Sequence, residues 1–197
     1  MQIVAQGPRI YLREMSPSDW KAVNVYASDP KVIELQGWGP HTENDSKDWV
    51  ALAIREASVK PRKMFYFGIC LNADDQLIGG ASVQRMTDPI NYGTAEIGLY
   101  LRSDQWRQGY GREAIKLLIP HIFENTNIHR LVGRCREANQ ASARLLESVG
   151  FRKEGHFIRD VLIRGKLTNS YSFALLKEEY NTSATEHISL DRLQSLV

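Results

Sequence analysis

Apolar residues change their spacing several times along this chain, and the changes divide it into elements. Arg9 to Arg13 reads as a short first strand, and Ser16-Pro17-Ser18-Asp19 as a helix start, where serine or aspartate caps free amides and proline fits the first turn. Trp20, Val23 and Tyr26 share helical spacing until Asp29-Pro30 interrupts it, and Gly37-Trp38-Gly39-Pro40-His41 predicts irregular chain. Helical spacing returns from Glu43 to Val59, with Trp49, Leu52, Ala53 and Ala57 on the inner face.

The middle of the chain has strand character. Phe65 to Leu71 and Leu77 to Val83, joined by Asn72-Ala73-Asp74-Asp75, predict an antiparallel hairpin, and Ala95 to Leu101 predicts a third strand. Ala114, Ile115, Leu118, Ile119, Ile122 and Phe123 then keep one helical face from Gly109 to Phe123. His129 to Cys135 reads as a strand, Asn139 to Ser148 as a helix capped by Asn139, and Gly150-Phe151 as its exit. Strands near Gly155 to Ile163 and Ser170 to Leu176 close the pattern. The polar stretch 181–197 reads as a peripheral tail, with one late turn through Ile188, Leu190 and Leu193. Strands before a helix, followed by strand-helix-strand-strand, predict a mixed sheet with helices packed on it, an order that a purely alternating parallel fold does not fit.

With 197 residues, the chain is long enough to bury about 70% of its unfolded surface, so one well-cored domain over 1–180 is expected. A net charge of +2 gives no reason to expect a nucleic-acid or membrane partner. No stretch has the apolar length of a membrane span and the first residues lack a signal-peptide pattern, so an intracellular, cytoplasmic location is expected. Cys70 and Cys135 fall inside strands as buried thiols do, and the five histidines have neither paired spacing nor a cysteine partner, so no metal site is expected.

The chemistry concentrates where the strand Ala95-Glu96-Ile97-Gly98-Leu99-Tyr100-Leu101 runs through a polar loop into Trp106-Arg107-Gln108-Gly109-Tyr110-Gly111-Arg112-Glu113-Ala114. Gly109 and Gly111 let backbone approach an anion, the first amides of the helix lack partners, and Arg107 and Arg112 add positive potential: together, a pyrophosphate cradle. The alternative is an ordinary helix start with two solvated arginines. Gly109 to Ala114 also matches a loose dinucleotide pattern, but antiparallel-looking elements precede it where that fold needs an opening parallel strand.

These stretches, with Asn139-Gln140-Ala141-Ser142-Ala143-Arg144-Leu145-Leu146-Glu147-Ser148-Val149-Gly150-Phe151 and Gly165-Lys166, resemble the GNAT N-acetyltransferases over about Ile10 to Tyr180, specifically their ribosomal-protein N-terminal acetyltransferase branch. The resemblance implies the acyl-CoA N-acyltransferase fold. This is an α/β fold, α+β in some schemes, with a mixed, mostly antiparallel sheet of six to seven strands and about four flanking helices. It implies acetyl-CoA as co-substrate, with pantetheine along the backbone from Leu99 to Leu101 and pyrophosphate at Arg107, Gln108, Gly109, Tyr110, Gly111 and Arg112. It implies that Asn139 and Ser142 contact the pantetheine arm, and that the protein is a monomer or homodimer with an amine acceptor as its partner. Asn169 stands near where many relatives carry an aspartate.

Direct acyl transfer needs a neutral amine, a stabilised oxyanion and a protonated leaving thiolate. Glu96 is the candidate base, against a bland role as a solvated strand residue; Ser142 and Tyr100 are rival donors to the sulfur, although Ser142 is also placed as a first-turn hydroxyl. Trp38 and Tyr92 are candidates for the acceptor entrance, with hinge or core roles as the alternative. A protein or peptide α-amine is the expected acceptor; a polyamine or aminoglycoside, or a binding module without catalysis, are the alternatives.

Overall fold

The computed structural model describes residues 2–181. Two antiparallel strands, β1 (Ile3–Gln6) and β2 (Ile10–Glu14), lead through a 3-10 turn at Pro17–Asp19 into α1 (Trp20–Ala27), α2 (Pro30–Ile33) and α3 (Glu43–Ser58). The hairpin β3 (Met64–Leu71) and β4 (Leu77–Arg85) follows, then β5 (Thr94–Leu101), α4 (Tyr110–Asn125), β6 (Arg130–Arg136), α5 (Gln140–Ser148), β7 (Arg152–Ile163) and β8 (Lys166–Leu176). All eight strands form one sheet in the order β1-β2-β3-β4-β5-β6-β8-β7.

Alternation decides the two faces. Ile10 and Leu12, Phe65 to Ile69 by twos, Ala95 and Ile97, and Leu131 and Cys135 pack with α4 and α5 into one core. On the other face Tyr11, Cys70 and Leu77 meet Val23 and Tyr26 of α1 and Val50 and Ala53 of α3. Asp19 fastens that second layer to the sheet. Both its oxygens accept from Arg13 of β2, at 2.6 and 2.8 Å, in a pair nearly sealed from solvent, and Ser16 N, half-buried, donates to it at 2.7 Å.

Every strand pair is antiparallel except one. β5 and β6 run parallel, in register only from Thr94↔Arg130 to Ile97↔Gly133. β4 keeps its partners on β5 as far as Gly79↔Leu101, and β6 keeps its partners on β8 as far as Arg136↔Ser170. Gly98 to Leu101 therefore face Arg134 to Arg136 without pairing, and the sheet splits there.

Several boundaries differ from the expected ones for physical reasons. The sheet has eight strands, not six to seven, because β1 is an edge strand whose four residues are all at least partly exposed and carry little alternation. Asp29-Pro30 does interrupt α1, yet Asp29 accepts from Lys31 N and so starts the short helix α2. The buried positions of α3 are Ser46, Val50 and Ala53, with Trp49, Leu52 and Ala57 flanking them. Strands β7 and β8 begin three and four residues before the expected Gly155 and Ser170, because the added residues, 152–154 and 166–169, are exposed or only half-buried and give no hydrophobic periodicity. The expected late turn through Ile188, Leu190 and Leu193 lies outside the described residues.

Candidate active site

At the split, the start of α4 meets the free edge of β5. Gly109, the N-cap residue, has φ +83° and Arg107 has φ +62°, so the loop curls and leaves the first-turn amides of α4 facing outward. Arg107 is exposed and its side chain forms no hydrogen bond or ion pair among the described residues, which leaves its guanidinium available to an anion. The Gln108 side chain instead holds the loop, donating to Asp104 O at 3.1 Å. Arg112 is also engaged, donating to Ser148 O at 3.3 Å, so its backbone amide is the part that faces the cradle freely.

Gly111 owes its size to packing rather than to an approaching anion. A Cβ there would lie 3.1 Å from Leu99 Cδ2 and 3.3 Å from Leu145 Cδ2. The missing side chain lets α4 sit tightly on β5 and α5, and it therefore sets the position of Leu99 and Leu101. Trp106 fixes the same strand end by donating its indole N–H to Leu101 O at 3.0 Å.

Arg9 is a cation at this site that sequence reasoning missed. It donates to Gln108 O at 2.8 Å, pairs with Glu113 at 2.8 Å and stacks on Tyr110 at 4.8 Å. Its position in an early loop, about a hundred residues away in sequence, gave no signal. The fit for a pyrophosphate is nevertheless good: free helix-start amides, a left-handed turn and two arginines, all beside an unpaired strand edge.

Across the split, Asn139 caps α5 by accepting from Ser142 N at 3.1 Å. The Ser142 hydroxyl sits beside the Cys135 thiol, where it partly offsets the burial that pushes that thiol up. Asn169 does not face the split. It donates to Glu137 at 2.6 Å and accepts from Arg159 N at 2.9 Å, bracing the base of the β7–β8 hairpin.

Opposite the α4–α5 side, Glu96, Gly98 and Tyr100 share one face of β5, turned away from Ile97 and Leu99. The phenol of Tyr100 leans back over Gly98, its hydroxyl 3.6 Å from where a Cβ would stand. Burial pushes the Tyr100 pKa up and the Glu96 carboxylate adds to this, while the Trp38 indole pulls the other way, so the phenol keeps its proton at neutral pH. Trp38 meets Tyr100 edge-on at 5.1 Å and His41 at 5.3 Å. Tyr26, below on α1, approaches Gly80 on β4, directly across from Tyr100.

Tyr92 is not brought into this group. It is 72% exposed at the amino end of β5 and accepts a hydrogen bond from Asn127 at 2.7 Å. Six residue steps along β5 separate Thr94 from Tyr100, about 20 Å of extended chain, so Tyr92 does not line an entrance beside Trp38.

The loop carrying Trp38 is held from above. Arg164, at the tip of the β7–β8 hairpin, donates to Ile33 O at 3.1 Å, Gly39 O at 3.3 Å and Trp38 O at 3.4 Å. With φ +47° at Arg164 and +79° at Gly165, the two central residues form a tight hairpin turn that aims the guanidinium inward. Ile163 packs beside it toward Gly37. The clasp thus holds the Trp38 loop against Tyr100, on the face of β5 that also carries Glu96 and away from the phosphate cradle.

Among the described residues no helix is long and apolar enough to cross a membrane, and no cluster of three or more His, Cys, Asp or Glu could hold a metal ion.

The comparisons agree with this geometry. The acetyltransferase (GNAT) domain family matches residues 9–152. The chain is 30% identical over 173 residues to the uncharacterised N-acetyltransferase YnaD of Bacillus subtilis, covering 88% of this chain and 96% of that protein. It is 37% identical over 82 residues to the ribosomal-protein-serine acetyltransferase of Escherichia coli, 42% of this chain and 45% of that one. The fold superposes with a TM-score of 0.77 on the ribosomal α-N-protein acetyltransferase RimL, solved with coenzyme A, at 21% identity and covering 89% and 98% of the two chains. The match over residues 9–152, together with a sheet that splits between β5 and β6 beside a helix-start cradle, places the chain in the GNAT acetyltransferase family, whose acetyl donor is acetyl-CoA.

Proposed function

We propose that this protein transfers the acetyl group of acetyl-CoA directly to a protein or peptide N-terminal α-amine. The observation that carries the reading is the split itself, which opens a slot from the α4–α5 side toward the face that holds Glu96, Tyr100 and Trp38. Tyr110, Gly111 and Arg112 would present backbone amides to the pyrophosphate, aided by Arg107 and Arg9. The free edge of Leu99 to Leu101 would hold pantetheine as an added strand does.

Glu96 would accept the proton of the incoming amine, directly or through one water, because it is the carboxylate on the acceptor face where the strands part. Tyr100 on the Glu96 face of β5 and Ser142 beside Cys135 on the α5 side would approach the sulfur from opposite sides. Tyr100 has the geometry of a donor, a phenol kept protonated above a residue without a side chain; Ser142 has a competing contact to Cys135. No cysteine is needed as a nucleophile, because both are buried thiols whose pKa values burial raises.

A peptide terminus is favoured over a polyamine because carboxylates at the groove are few. Asp45 is taken up in capping α3 through Thr42, and Glu43 lies near Lys47 at 3.8 Å. The partial match to a ribosomal-protein-serine acetyltransferase points the same way. The deciding experiment incubates the protein and acetyl-CoA with N-terminal peptides, polyamines and aminoglycosides and detects released thiol. Turnover with peptides supports the reading. Turnover confined to polyamines or aminoglycosides overturns the acceptor, and coenzyme binding without any turnover leaves a binding module.

A further inference from the structure

We infer that the acceptor groove is built for a peptide whose N-terminal α-amine is followed by carboxylate side chains, read by Arg134 and Arg136. This inference rests on the α-amine reading above and narrows it.

The residues of β6 alternate. Leu131, Gly133 and Cys135 face α5, Gly133 so closely that a Cβ would stand 2.7 Å from Leu146. Arg130, Val132, Arg134 and Arg136 therefore share the opposite face, the one on which Glu96 stands beside Val132. Continued past the last pair, Ile97↔Gly133, the register sets Arg134 across the opening from Gly98 and Arg136 across from Tyr100. One wall of the groove thus carries Glu96 and Tyr100, and the other carries two guanidinium groups.

Those two groups differ from their neighbour on the same strand and face. Arg130, at the closed end of the split, is paired with Glu154, which Arg152 also engages at 2.9 Å. Arg134 and Arg136, at the open end, form no ion pair or hydrogen bond among the described residues. Arg136 is only partly exposed, and its Nη1 is buried without any hydrogen-bond partner. A buried donor left unsatisfied costs about 1 to 3 kcal/mol, more when charged, and a ligand oxygen would offset that cost. Ser170, opposite Arg136 on β8, does not supply it, because its hydroxyl is 2.6 Å from Asp160. Asp160 of β7, which that hydroxyl engages, forms no ion pair with Arg136 among the described residues. Arg164, at the hairpin tip, is occupied by three backbone carbonyls.

Planar guanidinium groups suit carboxylates, which can accept two parallel N–H bonds. Arg134 and Arg136 are two residues apart on one strand, about 7 Å, a spacing that the side chains of an extended peptide can match. The same two charges repel a polyamine. With its amine at Glu96, an extended peptide leaving along β6 would lay its second and fourth side chains, which point to one face about 7 Å apart, over these arginines.

The test compares peptides that share a first residue but carry glutamate, glutamine or lysine at positions two and four, measuring kcat/KM with the wild-type protein and saturating acetyl-CoA. The expected order is acidic, then neutral, then basic, with at least a tenfold span that shrinks as salt rises. In the Arg134→Gln/Arg136→Gln variant the ratio of acidic to neutral peptide should fall close to one, with the change in KM; Arg136→Lys should restore part of it. Peptides acetylated without regard to charge, or a charge preference unchanged in the double variant, would overturn this inference and leave the α-amine reading standing. Acetylation of polyamines with no turnover of any peptide would overturn the α-amine reading itself.

Discussion

At the scale of single residues, Glu96, Tyr100 and Ser142 can be told apart by what each removes. Glu96→Gln keeps size and hydrogen bonding but loses the charge. The rate should fall at pH 6 to 7 and recover toward pH 8 to 9 with an α-amine acceptor, which titrates near 8, whereas a lysine-like amine near 10.4 would leave the defect severe. Wild-type rates across that range would reduce Glu96 to a strand residue. Tyr100→Phe should lower kcat by about 10- to 100-fold with little change in acetyl-CoA affinity if the phenol protonates the thiolate. Ser142→Ala leaves the capping bond intact, since Asn139 accepts from the Ser142 backbone N–H. Its melting temperature should therefore hardly move, and any loss of turnover belongs to the hydroxyl. Equal loss in both variants would mean that neither is the sole donor.

At the scale of elements, two contacts between neighbours set the site, and each has a distinct signature. Gly111→Val forces Leu99 and Leu145 apart, so melting temperature and acetyl-CoA affinity should drop together; adding Leu145→Ala should recover part of both. Recovery of stability without recovery of affinity would return Gly111 to direct contact with the anion. Arg164 sits at a left-handed φ that costs about 1 to 2 kcal/mol for a residue other than glycine. Arg164→Gly removes that strain and the three donors together, so melting temperature should change little while the acceptor KM rises about tenfold and the acetyl-CoA KM stays put. An unchanged acceptor KM would make the clasp a fold contact only.

These elements also show what could be read in the chain beforehand. That Glu96 and Tyr100 share a face of β5 was legible because period-two alternation assigns one, and the α4 start because glycine and arginine mark it. Arg9 and Arg164 escaped because each reaches its partners from another part of the chain, and only tertiary structure brings them there. Tyr92 was misplaced because an aromatic in an irregular segment carries no direction. The strand β1 and the extra length of β7 and β8 were missed because exposed strands do not alternate between core and solvent. Arg134 and Arg136 were visible as residues, but that they stand unpaired while Arg130 does not is legible only once Glu154 is in place.

At the scale of the whole molecule, the donor cradle belongs to the α4–α5 layer and the acceptor wall to the α1–α3 layer, so the site depends on how the second layer is fixed to the sheet. The Arg13–Asp19 pair does much of that fixing, both side chains almost fully buried. Burial alone would raise the Asp19 pKa, but the Arg13 guanidinium and Ser16 N–H outweigh it and hold the carboxyl below its usual value. A carboxyl depressed in the folded state stabilises the fold above its ordinary pKa near 3.9, and that stabilisation is lost as pH falls through the depressed value. Melting temperature should therefore hold from pH 8 to 5 and decline below about 4. Asp19→Asn strands the buried Arg13 charge and should cost about 3 to 5 kcal/mol near neutral pH, the gap to wild type narrowing in acid as the native carboxyl protonates. If the gap stays constant down to pH 2, the ion pair is not what holds the layers, and the apolar contacts of Val23, Tyr26 and Val50 must do so. If the double replacement Arg13→Met/Asp19→Leu regains stability yet raises the acceptor KM, the pair is kept for where it places α1, and with it Tyr26 beneath Tyr100, rather than for the energy it adds.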